Sequence, residues 1–97
     1  MTEDRLRLDV FLWRARFFKA RTSATEAIER SGARIERDGL VRRTDKPATP
    51  VEPGDLLSFK APAGPKLVRI LALPERRGPP VEAALCYEAV GEPDVKQ

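Results

Sequence analysis

A chain of 97 residues, 41% hydrophobic and 34% charged, has room for one modest core, because two domains cut from that length would each be marginal. Eighteen Lys and Arg against 15 Asp and Glu leave a net charge of +3, and with a mean hydropathy of −0.42 no run approaches the roughly 18 apolar residues of a spanning helix. The lone Cys86 and the lack of histidine exclude an internal disulfide, the usual zinc and iron–sulfur ligand sets and histidine-activated nucleophiles, so no metal, no cofactor and no catalysis are expected.

Met1 to Arg5 starts acidic and leads into no apolar run, which predicts neither a signal nor a transit peptide and points to the cytoplasm. Asp9 to Phe18 is predicted as a helix: Phe11, Leu12, Ala15 and Phe18 form a one-sided stripe, with Asp9 as N-cap. After a tight break at Ala20 to Thr22, Ser23-Ala24-Thr25-Glu26 spells a capping box. It opens a second helix that buries Ala24, Ala27 and Ile28 and closes at Gly32. Two short helices so joined pack as a hairpin and need a sheet against them. Ala33 to Glu36 is a short strand, Arg37-Asp38-Gly39 a turn that Asp-Gly suits, and Leu40-Val41 pairs back. Arg42 to Pro53, with Pro47, Pro50 and Pro53, is expected as an ordered loop ending at the Pro53-Gly54-Asp55 turn. Leu56 to Lys60 and Leu67 to Leu73 are strands around a loop at Pro62 to Pro65, and Pro74 stops the second. Val81 to Tyr87 is either a short helix or a last strand. The domain is expected over residues 5–88, with 89–97 as a tail.

Between Arg5 and Arg21 six basic residues face one acidic one, a local net of +5, whereas Val81 to Gln97 nets −3. Thirteen of the 18 cations are arginine, whose planar fork matches phosphate. Arg7, Arg14 and Arg21 recur every seven residues, so on a helix they would drift only about 20° per step. A solvated charged face is the plain reading of that stripe. Against it, Arg14, Arg16, Lys19 and Arg21 have almost no acidic i±4 partners, and unpaired like charges are better explained if phosphates neutralise them. Trp13, Phe17 and Phe18 interleave with these cations. Phe18 is assigned to the core, while Trp13 and Phe17 are either partly buried or free to stack on bases. Cys86 reads as a core thiol and Asp9 and Glu26 as caps rather than a catalytic pair. The glycines make no phosphate-cradling fingerprint.

Arg7-Leu8-Asp9-Val10-Phe11-Leu12-Trp13, Arg16-Phe17-Phe18-Lys19-Ala20-Arg21-Thr22, Ala24, Gly32 and Val51-Glu52-Pro53-Gly54-Asp55 together resemble the small RNA-binding domain first recognised in ribosomal small-subunit protein four. Arg69 to Pro79, Glu82-Ala83 and Tyr87-Glu88 resemble the C-terminal extension of the ribosome-associated heat-shock protein 15 family. The resemblance implies an α+β fold, a two-helix hairpin and β-loop motif on a small, mostly antiparallel sheet. It also implies non-catalytic RNA binding in the stress response: structured RNA, with ribosomal RNA on the large subunit and stalled peptidyl-tRNA-carrying subunits as the partners, and no membrane. Its RNA-facing positions fall on Arg7, Lys19, Arg21 and Arg34, with Arg14 and Arg16 as additions from the helix. Where the family usually shows a Val-x-Val-Asn-Gly-like turn after the helix-closing glycine, this chain has Arg34-Ile35-Glu36-Arg37-Asp38-Gly39, of different length and without Asn. A monomer is expected. The alternatives are a DNA-binding or protein-interaction domain, or the targeting module of an RNA-modifying enzyme.

Overall fold

The computed structural model describes residues 4–90, an α+β fold with two helices packed on one face of an antiparallel sheet. In chain order these are β1 (Leu6–Arg7), α1 (Leu8–Arg14), α2 (Arg21–Ser31), β2 (Ala33–Arg37), β3 (Leu40–Thr44), β4 (Pro50–Val51), β5 (Leu56–Ala61) and β6 (Gly64–Ile70). After them come α3 (Pro80–Ala83), a 3-10 turn over Ala84–Cys86, and β7 (Tyr87–Ala89). The main sheet runs β3-β2-β5-β6-β7, and β1 pairs β4 beside it; among the described residues every pairing is antiparallel.

Alternation decides which side of the sheet is covered. Ile35 on β2, Leu57 and Phe59 on β5, and Val68 and Ile70 on β6 face the helices and meet Leu8, Phe11, Leu12, Phe18, Ala24 and Ile28 in one core. Each large side chain so buried stabilises the fold by about 1.5–3 kcal/mol before conformational entropy is counted. The β2–β3 turn forms as the Asp-Gly pair requires, with φ of 54° at Asp38 and 80° at Gly39 and Arg37 opposite Leu40. Gly32 ends α2 at φ 75°, a conformation that side chains with a Cβ resist.

Several boundaries differ from the sequence expectation. Asp9 is not an N-cap; Arg7 holds that position, and the helix's early N–H groups at Leu8 and Asp9 are satisfied by the carbonyls of Thr49 (2.8 Å) and Pro47 (3.1 Å). The first helix stops at Arg14 rather than Phe18, because Arg16 turns the chain with φ 70°. Phe18 is still buried, on the α1–α2 connection instead of a helical stripe. The second helix starts two residues before Ser23, with Ala20 as its uncapped N-cap. Ser23 and Glu26 are exposed, and the Thr25 hydroxyl is directed to Asp9 instead. Arg42 to Thr44 extend β3, and Pro50–Val51 form β4, inside the stretch expected as loop.

Strand β6 starts three residues early and ends at Ile70, not Leu73, because the N–H groups of Leu71 and Ala72 both turn to the Cys86 carbonyl (2.8 and 3.2 Å). The last segment is helix and strand in succession. Ala89 belongs to β7, and the Val90 N–H donates to the Leu67 carbonyl (2.9 Å), so the ordered part passes residue 88; residues 91–97 of the expected tail lie outside the described residues. Cys86 is half-buried rather than core, its thiol near the Glu82 carbonyl (3.8 Å), and burial followed by the charge of Glu82 raises its pKa.

Candidate nucleic-acid interface

The start of α1 and the start of α2 meet at one carboxylate. Asp9 is 1% exposed and accepts a two-pronged bond from Arg7, Nε to Oδ1 and Nη2 to Oδ2, both 3.0 Å. The Thr25 hydroxyl donates to Oδ2 (2.9 Å), and Arg21 Nε stands 3.7 Å from the same oxygen. Burial alone pushes the Asp9 carboxyl up; the hydrogen bonds from Arg7 and Thr25, with the charges of Arg7 and Arg21, outweigh it and hold the pKa below the ordinary value. The hydrogen bonds that Arg7 donates to Asp9, and then the charge of Asp9, raise the pKa of Arg7 in turn. Two cations thus share one anion. Their side chains are 47% and 49% exposed, so one net positive charge and free guanidinium edges face solvent.

Arg14 and Arg16, the additions from the helix, both bond backbone carbonyls of the segment after β6, Arg16 while remaining exposed. Arg14 is half-buried and donates from Nη1 to the Pro74 carbonyl (2.9 Å), while its Nε is buried without a hydrogen-bond partner among the described residues. Arg16 donates from Nε to the Gly78 carbonyl (2.6 Å). The loop they grip grips back: Arg77 donates to the carbonyls of Trp13 (3.2 Å) and Phe18 (3.4 Å), and its guanidinium lies 6.0 Å from the Trp13 ring centre. Trp13 is therefore a partly buried platform for Arg77. Phe17 packs edge-on to Phe59 at 5.0 Å and tilted on Tyr87 at 4.6 Å, which leaves it part of the protein's own packing.

Arg7, Arg14 and Arg21 do not lie on one line, since one precedes α1, one ends it and one opens α2. Lys19 is exposed on the connection between the helices, and Arg34 is exposed on β2, on the sheet face away from them. The six residues therefore fall into three places: Arg7, Arg21 and the neighbouring Lys19; Arg14 and Arg16 at the C-terminal loop; and Arg34 on the sheet. Arg43, absent from the six expected residues, stands opposite Arg34 on β3, a register that counting back from the Asp38-Gly39 turn supplies. Arg37 is a second arginine outside that set. This residue fixes the fully buried Asp55 by two bonds (2.8 and 2.7 Å), and Asp55 in turn accepts from the Glu52 N–H (3.0 Å), closing the Pro53-Gly54 turn.

Among the described residues no cluster of His, Cys, Asp and Glu is placed to hold a metal, and no helix is long and apolar enough to cross a membrane. No protein-family model matches the chain. It is 38% identical to heat shock protein 15 of Escherichia coli K12 over 87 residues, 90% of this chain and 62% of the relative. With the heat shock protein 15 homolog of Aeromonas salmonicida it shares 36% identity over 87 residues, again 90% and 62%. The chain thus spans 62% of the length of these curated relatives. The solved trimeric structure of Vibrio cholerae heat shock protein 15 superposes with a TM-score of 0.72 at 29% identity, covering 89% of this chain and 82% of that one.

Proposed function

Because the chain is a homologue of heat shock protein 15, we propose that it is a non-catalytic RNA-binding protein of the stress response that acts in the cytoplasm on ribosomal RNA, at the large subunit. The observation that carries the RNA reading is the convergence of Arg7 and Arg21 on Asp9. The buried carboxylate sets the angle of two guanidinium groups without cancelling both charges, which is a geometry suited to backbone phosphate. Lys19, exposed two residues before Arg21, adds a flexible point charge beside that fork. The resemblance to the ribosome-associated family carries the choice of ribosomal RNA and of subunits with stalled peptidyl-tRNA. Arg14 and Arg16 serve this site by holding the helix connection in place.

Binding of a labelled ribosomal RNA hairpin, in competition with duplex DNA of equal length and followed by sedimentation with purified subunits, tests the reading. Preference for RNA, a steep loss of affinity with salt and co-sedimentation with the large subunit are expected. Equal competition by DNA removes the RNA assignment.

Self-association is a second reading, favoured by Leu40 and Val41, 70% and 60% exposed on the edge strand β3, and by the trimeric Vibrio cholerae relative. Sedimentation equilibrium without RNA gives the mass that decides between a monomer and a trimer.

A further inference from the structure

On the sheet face turned away from the helices, Arg34 of β2 stands directly opposite Arg43 of β3 on one side and Ser58 of β5 on the other. Leu57, Phe59 and Ala61 point into the core, so Ser58 and Lys60 share the outer face with Arg34. Residues directly opposed in an antiparallel pair have Cβ atoms about 4.5–5.5 Å apart, and like charges so placed destabilise the sheet. Among the described residues neither arginine has a carboxylate within ion-pair distance. Glu36, the acid on the same face of β2, lies opposite Val41 and forms no ion pair.

The Arg43 guanidinium folds over the end of α2, where a Cβ at Gly32 would lie 3.8 Å from its Nε. Gly32, Arg34, Arg43, Ser58 and Lys60 line a depression there. A second depression shares Arg43 and continues to Arg30 and Lys46, with Glu29 and Asp45 also in its wall. Lys46 belongs to the segment whose Pro47 carbonyl receives the Asp9 N–H, so this basic track leads back to the Arg7 and Arg21 fork.

We propose that the outer face of β2, β3 and β5 is a second phosphate-binding surface, on which Arg34, Arg43 and Lys60 hold the backbone of the same structured RNA that meets Arg7 and Arg21. This rests on the RNA-binding reading and extends it, from a contact at the helix starts to a footprint that crosses the sheet. A phosphate between Arg34 and Arg43 relieves their repulsion and gives both forks an acceptor, whereas an apolar partner would leave two cations desolvated and unpaired.

The test is a salt titration of binding between the full chain and a labelled structured RNA hairpin, for the parent, Arg43→Ala, Lys60→Ala and an equal-charge control, Arg76→Ala on the C-terminal loop. Arg43→Ala and Lys60→Ala should each weaken binding and flatten the plot of log affinity against log salt by about 0.7–0.9, one phosphate each. Arg43→Ala should melt no lower than the parent, since a repulsive neighbour has been removed. The proposal is overturned if Arg43→Ala keeps the parental affinity and slope, or loses no more than Arg76→Ala. It is overturned in favour of an acidic protein partner if Arg43→Ala keeps RNA binding but loses binding to a poly-glutamate peptide. A parent that binds no RNA removes the RNA reading and this surface together; a parent that binds while both sheet variants bind equally well removes only the surface.

Discussion

At the start of the two helices, Arg7 and Arg21 share the buried carboxylate of Asp9; at the far end of the first helix, Arg14, Arg16 and Arg77 direct their N–H groups to neutral carbonyls. The first arrangement removes part of the charge and leaves the guanidinium edges open. The second keeps every charge but fixes the geometry, tying the helix connection to the C-terminal loop. Five arginines that are equivalent in a composition table are therefore divided between presenting charge and locking structure. What separates them is whether the partner is an anion nearby in sequence or a peptide oxygen some sixty residues away.

The largest effect comes from striking the residue on which the locked region rests. Phe18→Ala removes a buried ring whose own carbonyl accepts from Arg77, and should cost about 3–5 kcal/mol in urea unfolding, with RNA binding lost only as the fold is lost. Arg77→Ala should cost about 1–2 kcal/mol by the same measurement, because two carbonyl bonds and the contact with Trp13 disappear. Its RNA affinity should fall further than that of Arg76→Ala, which carries the same charge change; equal losses would mean that the clasp does not position the interface.

Acid separates the two regions directly. Asp9 has a folded-state pKa below its unfolded value, so its contribution is fully present above the unfolded value, about 3.9, and is lost as pH falls through the folded one. The clasp contains no carboxylate among its bonds. Asp9→Asn should therefore flatten the acid limb of a stability–pH curve while Arg77→Ala leaves its shape unchanged. The smallest effect on folding belongs to Lys19→Ala, within about 0.5 kcal/mol by thermal melting, yet RNA affinity should drop and its salt slope flatten by about 0.9.

The parts of the fold set by local chemistry were legible in the sequence. The Asp38-Gly39 turn, the glycine that ends α2, and the strands that carry Ile35, Leu57 and Val68 all follow from neighbouring residues. Parts set at a distance were not. Asp9 has the side chain of a cap, but the Thr49 and Pro47 carbonyls let the helix begin one residue earlier, at Leu8, and Arg7 and Thr25 take the Asp9 carboxylate. The stripe that extends a helix to Phe18 is genuine as burial and wrong as helix, because Arg16 adopts a positive φ that its bond to Gly78 holds. The two-residue β1–β4 pair is too short to carry a periodicity. Of the interface, the basic excess before Arg21 was visible. That Arg14 and Arg16 bond to distant carbonyls, while Arg43 joins Arg34 across a hairpin, depends on pairing that composition does not encode.

The clasp also imposes an order in time on a chain made from its N-terminus. Arg14 meets Pro74, Arg16 meets Gly78 and Arg77 meets Trp13, at separations of 60 to 64 residues. The α1–α2 hairpin has its own contacts as soon as Ser31 is synthesised, and the connection bearing Lys19 gains the Phe17–Phe59 contact with β5, but its arginine–carbonyl bonds wait for residues 74–78. Contacts this far apart form late, after the local ones have closed. A nascent chain arrested before Pro74 carries all the cations of its helix pair and none of the lock, so the segment with the greatest excess of positive charge acquires its arginine–carbonyl bonds only once residues 74–78 are made.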